Sequence, residues 1–286
     1  MEHAGGQFLL LYKNIRHMKK LFLSVLYFLS LGLYNVTMAQ NSVVDQKNPD
    51  FSNSGKYVGE KRNGKMHGKG VFEWKNGERF EGNFVDGQIE GYGRYYWKDG
   101  DVYQGYLKDG KQDGFGSAFY ADKCNIYEGE WKNGKRNGHG KLTWANGDTY
   151  EGEWVDDVRT GEGVFTAANG DKYVGHYENN QRNGYGIYYH NNGDVYAGQW
   201  LNGEKEGLGK YTYANGNVYE GQFCNSYIEG HGTFVWTSGA TYTGQFKEDM
   251  RNGVGTYTTA SGKVIAGTWK DNRFSGDKSN LNVAMR

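Results

Sequence analysis

Three sets of residues have types and spacings that could do chemistry. Gly59 to Lys65 reads Gly-Glu-Lys-Arg-Asn-Gly-Lys, close to the phosphate-binding loop G-x-x-x-x-G-K-[ST]. Met66 stands where a hydroxyl would have to hold magnesium. The same near-match returns at Gly105 to Lys111 and Gly129 to Lys135, so a repeating unit generates it. Glu128, Glu130, Glu151 and Glu153 form a second set, a carboxylate cluster that could serve a glycosidase or bind calcium. Lysines stand within reach across the strands, which makes a solvated, charge-paired face the better reading. Seven histidines show no ligand spacing, and Asp101, Asp148, Asp171 and Asp194 lack the calcium-binding nonapeptide pattern. The third set is a row of large aromatics, and only the elements that carry them explain it.

From Tyr57 to Gly276 a 23-residue unit recurs, led by Tyr57, Phe80, Tyr103, Tyr127, Tyr150, Tyr173, Tyr196, Tyr219, Tyr242 and Ile265. Only the step from Tyr103 to Tyr127 is longer, by one residue. Numbered from the leading aromatic, positions 1, 3 and 5 read large, Gly, large, as in Tyr127-Gly129-Trp131 and Tyr196-Gly198-Trp200. Positions 14, 16 and 18 read the same way, as in Gly70-Phe72-Trp74 and Gly232-Phe234-Trp236. Period-two alternation makes each segment a strand with one buried face. Each unit is therefore a hairpin and the array an antiparallel meander. Positions 2, 4, 15 and 17 are mostly polar and suit a solvated face. Forty-six glycines and a single proline, Pro49, placed before the array, agree with this reading.

Asn146-Gly147 and its equivalents at positions 20 and 21 suggest a two-residue turn. Parity argues against it, because that loop would send the rings of adjoining strands to opposite faces. A three-residue loop over positions 19 to 21 pairs Tyr95 with Tyr103, Phe165 with Tyr173, Tyr188 with Tyr196 and Phe234 with Tyr242. It also sets Lys141 against Glu151 and Lys210 against Glu220, and such pairs contribute about 0.2–1 kcal/mol each. The other connection is expected over positions 8 to 12. It opens on Gly, Asn, Asp or Ser, and in most units that residue tolerates positive φ. The same register is expected to put the position-12 glycine beneath the next position-5 ring, as Gly138 beneath Trp154. Unit three looks weakest, with Ala118 at position 16 and an extra residue in Asp122-Lys123-Cys124-Asn125. Cys124 and Cys224 lie about four units apart, roughly 40 Å at two strands per unit, too far to form a disulfide.

The pattern YEGEWKNGKRNGHGKLTWANGDT, Tyr127 to Thr149, resembles the MORN repeat, the membrane occupation and recognition nexus motif. The resemblance covers nine full units and a partial tenth. It implies an all-β, elongated, single-sheet antiparallel β-meander, used in that family for protein association, dimerisation or lipid contact. Lys61 and Leu107 at position 5, Lys123 at position 21 and Ile265 at position 1 depart from the pattern.

Residues 18–39 read as a secretory signal. Lys19 and Lys20 precede an apolar run that is too short to span a membrane, and Thr37-Met38-Ala39 offers a cleavage site before Gln40. The expected organisation is 1–39 extension and signal, 40–56 linker, 57–276 array and 277–286 tail. Removing residues 1–39 takes away Lys13, Arg16, Lys19, Lys20 and Glu2 and leaves net charge −3, which argues against a nucleic-acid partner held by charge. The expectation is an exported non-enzyme, periplasmic or at the cell surface, without cofactor or metal, acting as a protein-binding scaffold. Its candidate contact residues are the position-18 rings Trp74, Trp97, Trp144, Tyr213 and Trp236. A second copy of the chain is an alternative partner, and so is a glycan or lipid surface.

Overall fold

The computed structural model describes residues 55–276, and every regular element in that span is a β-strand. Twenty strands run from Gly55–Arg62 to Arg273–Phe274. Each pairs antiparallel with the next in the chain, so among the described residues the sheet is one open meander. The segment read as a signal, residues 40–54 and the tail 277–286 lie outside the described residues.

The register follows the parity argument. Tyr95 faces Tyr103, Phe165 faces Tyr173, Tyr188 faces Tyr196 and Phe234 faces Tyr242. Lys141 faces Glu151 and Lys210 faces Glu220. The joint between units four and five shows why. Trp144 N–H donates to the Asp148 carbonyl at 2.9 Å, Gly147 N–H donates to the Trp144 carbonyl at 3.0 Å, and Gly147 adopts φ 90°. That is a three-residue loop with its glycine in the left-handed region.

The connection within a unit is shorter than expected. Asn133 and Gly134 at positions 7 and 8 have φ of 50° and 82°, and Lys132 pairs with Lys135 across them. This two-residue turn is the one whose twist matches the flanking strands, and the second strand resumes at position 9. The position-12 glycine is therefore no loop residue. Gly138, at φ 72°, lies in a bulge where the register jumps between Gly129 and Trp131. Gly138 does stand opposite Trp154, but the space its side chain would need is taken by the Glu130 carboxylate. The ring over a bare backbone is the leading tyrosine. A side chain on Gly140 would run into Tyr127 of the same unit.

The bulge also explains why the leading residue is tyrosine. It leaves the position-4 carbonyl outside the ladder, and a buried carbonyl without a partner is costly. The hydroxyls of Tyr150, Tyr196 and Tyr242 donate to the carbonyls of Glu153, Gln199 and Gln245 at 3.2, 2.8 and 3.1 Å. Position-4 side chains complete the cap, with Glu130 accepting from His139 N–H at 3.1 Å and Glu153 from Glu162 N–H at 3.3 Å.

The core is a zipper of rings. Tyr150 meets Trp154 edge-on at 5.3 Å and Tyr177 of the next unit at 5.1 Å, and Tyr173 then meets Tyr177 at 5.3 Å and Trp200 at 5.3 Å. Each edge-to-face pair adds about 0.5–1.5 kcal/mol beyond the area it buries. Unit three keeps its place in the sheet. A four-residue loop closes between Tyr120 and Asn125, Cys124 takes the left-handed conformation at φ 51°, and Asn125 Oδ1 accepts Ala145 N–H at 3.2 Å. Cys124 and Cys224 are both free.

Candidate functional site

The strands bring three parallel rows onto the aromatic face. The first holds the leading rings, half-buried at Tyr57 and fully buried from Phe80 onward, as Tyr103, Tyr150, Tyr196 and Tyr242 at 0% exposure show. Burial raises the pKa of each of these phenols, so they remain neutral donors. Tyr177, at position 5, is pushed up to about 12 by the same burial. Nothing in this row is poised for proton transfer near neutral pH.

A second row, at position 10 and paired with position 5 toward the within-unit turns, is one the sequence reading passed over. It holds Arg136, Arg159, Arg182, Lys205 and Arg251. Each guanidinium lies over the next unit's position-5 ring, Arg136 over Trp154 and Arg182 over Trp200 at 4.3 Å, Arg251 over Trp269 at 4.6 Å, and Arg159 over Tyr177 at 5.5 Å. Each also reaches the next within-unit turn. Arg159, Arg182 and Arg251 donate to the carbonyls of Asn180, Gly203 and Asn272 at 2.9, 2.7 and 2.6 Å. Arg136 adds an ion pair with Asp157 at 2.9 Å. Lys205 is too short for the clamp, and its ammonium sits 4.7 Å from the Tyr211 ring and 5.3 Å from Tyr196. Burial lowers the pKa of Arg159, Lys205 and Arg251. None of Arg159, Arg182, Lys205 and Arg251 has a carboxylate ion-pair partner among the described residues.

The outer row holds position 18 and, beside it, position 16, which alternates with the leading rings along the sheet. Trp97, Trp144, Tyr213 and Trp236 are half-buried, whereas Trp74 is only 4% exposed. Trp74 therefore differs from the other four residues predicted for contact. Rings within one strand touch along this row. Tyr211 and Tyr213 are 4.6 Å apart, as are Phe234 and Trp236, and Tyr188 meets His190 at 4.5 Å. In units five to nine the position-16 rings Phe165, Tyr188, Tyr211, Phe234 and Tyr257 are also half-buried. With His190, Tyr213 and Trp236 at position 18 the strip is two rings wide in units six to eight, while Ala167 and Thr259 leave it one ring wide at either end. At its edge runs a ladder of turn carboxylates. Asp148, Asp171 and Asp194 each accept the amide of the following turn, from Ala168, Asn191 and Ala214 at 2.8, 2.7 and 2.7 Å. This hydrogen bonding holds Asp171 below the usual carboxylate range. These aspartates, which follow the turn glycines, join neighbouring units.

The opposite face carries the other candidate residues. Glu128 and Glu151 stand opposite Lys141 in the ladders, and Glu130 and Glu153 cap bulges, so the carboxylate cluster is committed to the sheet. Gly59 to Lys65 spans the turn between the first two strands rather than preceding a helix. Position 13 is less polar than expected for this face, with Tyr92, Phe115, Tyr185, Leu208 and Val254 exposed. An open depression of about 750 Å³ lies between Val58, Lys69, Tyr92, Arg94 and Tyr96, and Gln104 donates to the Tyr92 hydroxyl across one end at 2.7 Å.

Among solved structures, the TCP10 domain of Danio rerio CPAP is similar at 14% identity. The match covers 71% of this chain and 94% of that domain, with a TM-score of 0.41. The SAS-4 TCP domain of Drosophila melanogaster, solved with a proline-rich motif of Ana2, is similar at 13% identity over 74% of this chain and 97% of that one, with a TM-score of 0.27. At these scores neither likeness bears on function. No curated protein matches. The MORN-repeat family model matches nine consecutive stretches, 57–79, 80–102, 103–124, 127–149, 150–172, 173–195, 196–218, 219–241 and 242–264. With most of its length matched unit by unit, the chain belongs to the MORN-repeat family.

Proposed function

We propose that this protein is an exported, non-enzymatic scaffold that binds a partner protein along the outer aromatic row of its sheet. The observation that carries the reading is the continuity of half-buried rings from Phe165 to Tyr257, one at position 16 in each of units five to nine and a second at position 18 in units six to eight. Contiguous exposed apolar surface of this kind marks interaction sites rather than ordinary solvent-facing sheet. Tyrosine and tryptophan are the residues most enriched at interface hot spots. The non-enzymatic part is supported by the carboxylates, whose oxygens cap backbone amides instead of converging on a cleft. Export is supported by Lys19 to Ala39 alone, and sequencing the mature protein should recover Gln40 as its first residue.

The test is capture from the exported fraction with wild-type protein and with Trp97→Ala, Tyr213→Ala and Trp236→Ala. Each variant should lose the captured protein while its melting temperature falls by only a few degrees. A buried ring would cost about 3–5 kcal/mol on truncation, so a large fall in melting temperature with capture intact would assign these rings to packing. Glycan binding that disappears in the same variants would move the reading to a carbohydrate surface.

A further inference from the structure

The reading above leaves the partner's chemistry open, and the cation row narrows it. Arg159, Arg182 and Lys205 occupy position 10 in three consecutive units, beside half-buried Tyr188, Tyr211 and Tyr213. They differ from Arg136, which Asp157 neutralises at 2.9 Å. The corresponding turn residues in the next three units are Asn180, Gly203 and Ser226, none of which carries charge. The result is three cations in line, held over rings and without a carboxylate at ion-pair distance among the described residues, although Asp249 and Asp194 lie close enough to act on Lys205. The acidic ladder of Asp171 and Asp194 runs along the outer edge, with its oxygens already engaged by Tyr188, Tyr211 and backbone amides.

Spacing selects the conformation of the ligand. Neighbouring strands lie about 4.8 Å apart, so equivalent residues in successive units recur roughly every 9.6 Å across the sheet. A polyproline II segment rises about 3.1 Å per residue and repeats its face every three residues, or about 9.3 Å. It stays in step with three units to within roughly 0.6 Å. A β-strand repeats its face at about 6.8 Å and falls out of register at once. An α-helix read at every seventh residue repeats at about 10.5 Å and drifts by close to 1 Å per unit.

We propose that this face binds an extended acidic segment in the polyproline II conformation, with carboxylates at residues i, i+3 and i+6 meeting Arg159, Arg182 and Lys205. The two residues between successive carboxylates lie on the position-16 and position-18 rings. Proline suits them, because it presets the conformation and packs flat on aromatic side chains. The outer aspartates repel a ligand of this charge from the sheet edge and confine it to the cation row. This inference rests on the aromatic row being the binding face, and it adds the ligand's charge and period.

The full chain is titrated with three fluorescent nine-residue peptides: three copies of Asp-Pro-Pro, three copies of Asn-Pro-Pro, and the first composition with its aspartates adjacent. The spaced acidic peptide should bind at least about tenfold tighter than either control, and its affinity should fall as salt rises. Lys205→Met and Arg182→Met should each lower that affinity about tenfold, the scale of one charge-assisted contact. Met66, Ile89 and Ile228 already fill position 10 elsewhere, so these variants keep the slot packed. Equal binding of the spaced and clustered acidic peptides overturns the period, and equal binding of the neutral peptide overturns the charge. Either of those outcomes leaves the aromatic-row reading intact if Trp236→Ala still abolishes capture. Binding of no peptide, or no change in the methionine variants, overturns the inference outright.

Discussion

Units one to three and units four to nine follow one 23-residue plan but fill one slot of the aromatic face differently. The first group has Met66, Ile89 and Gln112 at position 10, whereas the second has Arg136, Arg159, Arg182, Lys205, Ile228 and Arg251. Ile89 is wholly buried, and Phe72, Tyr95 and Ala118 at position 16 are buried with it. In the second group the cation's stem covers the rings while its head reaches the next turn, and the position-16 rings from Phe165 onward remain half-buried. The ring zipper differs as well. Leu107 interrupts it in unit three, and from Tyr103 through Trp131 to Trp269 it is continuous. One slot can thus serve as apolar filler or as a charged clamp, and which it becomes decides whether a stretch of sheet is only packed or also presents charge.

The largest effect should fall on what both regions share. Phe80→Ala and Tyr196→Ala each remove a ring with 0% exposure and should cost about 3–5 kcal/mol by denaturant unfolding. Similar losses would confirm a common core. A much smaller loss at Phe80 would mean that the first region is supported from elsewhere.

Exchanging the contents of the slot sharpens the comparison further. Ile89→Arg puts a cation into a wholly buried apolar site among the buried rings of the first region, with only a backbone carbonyl at Gly110 to receive it. That variant should lose about 2–4 kcal/mol. Ile228→Arg should be tolerated to within about 1 kcal/mol, because Asp249 already accepts Ile228 N–H at 2.8 Å, just as Asp157 accepts Arg136 N–H at 3.0 Å. Equal losses would show that the clamp depends on the whole region rather than on the facing turn.

A third test exploits a natural difference in hydroxyls. Tyr196→Phe leaves the Gln199 carbonyl without its donor and should cost about 1 kcal/mol. The reverse change, Phe80→Tyr, supplies a donor for the equivalent Asn83 carbonyl and should gain a similar amount. Paired melting curves read both signs, and a loss at Phe80→Tyr would mean that the bulge in unit two is built differently.

These contrasts divide what could be read in the residues from what could not. Strand identity, the three-residue joint and the pairing of Tyr188 with Tyr196 followed from parity, because a one-residue slip would move every ring to the wrong face. The within-unit turn was placed too late in the unit. Asn133-Gly134 carries the ordinary hairpin signal, but the eye goes to the glycine at position 12, whose role depends on a bulge that period-two reasoning does not anticipate. The arginine row went unread for a different reason. An arginine every 23 residues is visible, yet it resembles a surface charge until the rings above it and the carbonyl ahead of it are in place. Among the candidate contact residues, spacing located the row, but burial depends on neighbours, and Trp74 shows it.

The smallest expected effect concerns the one histidine in the outer row. His190 occupies position 18, where units one to four, seven and eight carry tryptophan or tyrosine, and it stacks on Tyr188 at 4.5 Å and faces Tyr211 at 5.9 Å. Its Nε2 is buried without a hydrogen-bond partner, and burial followed by the Lys205 charge lowers its pKa from 6.5. Asp171, Asp194 and Arg182 also bear on it, the carboxylates opposing the shift and the guanidinium adding to it. A base with a lowered folded pKa binds its proton more readily in the unfolded chain. Stability is therefore unaffected well above pH 6.5, declines as pH falls below 6.5, and levels off once the folded pKa is passed. His190→Trp places in this slot the residue found at Trp97 and Trp236 and removes the titrating group. Denaturant midpoints measured from pH 7.5 to 5 should fall for the wild type and show a shallower slope for His190→Trp. Parallel slopes in the two proteins would place the pH dependence in the exposed carboxylates and leave His190 as an ordinary packing ring.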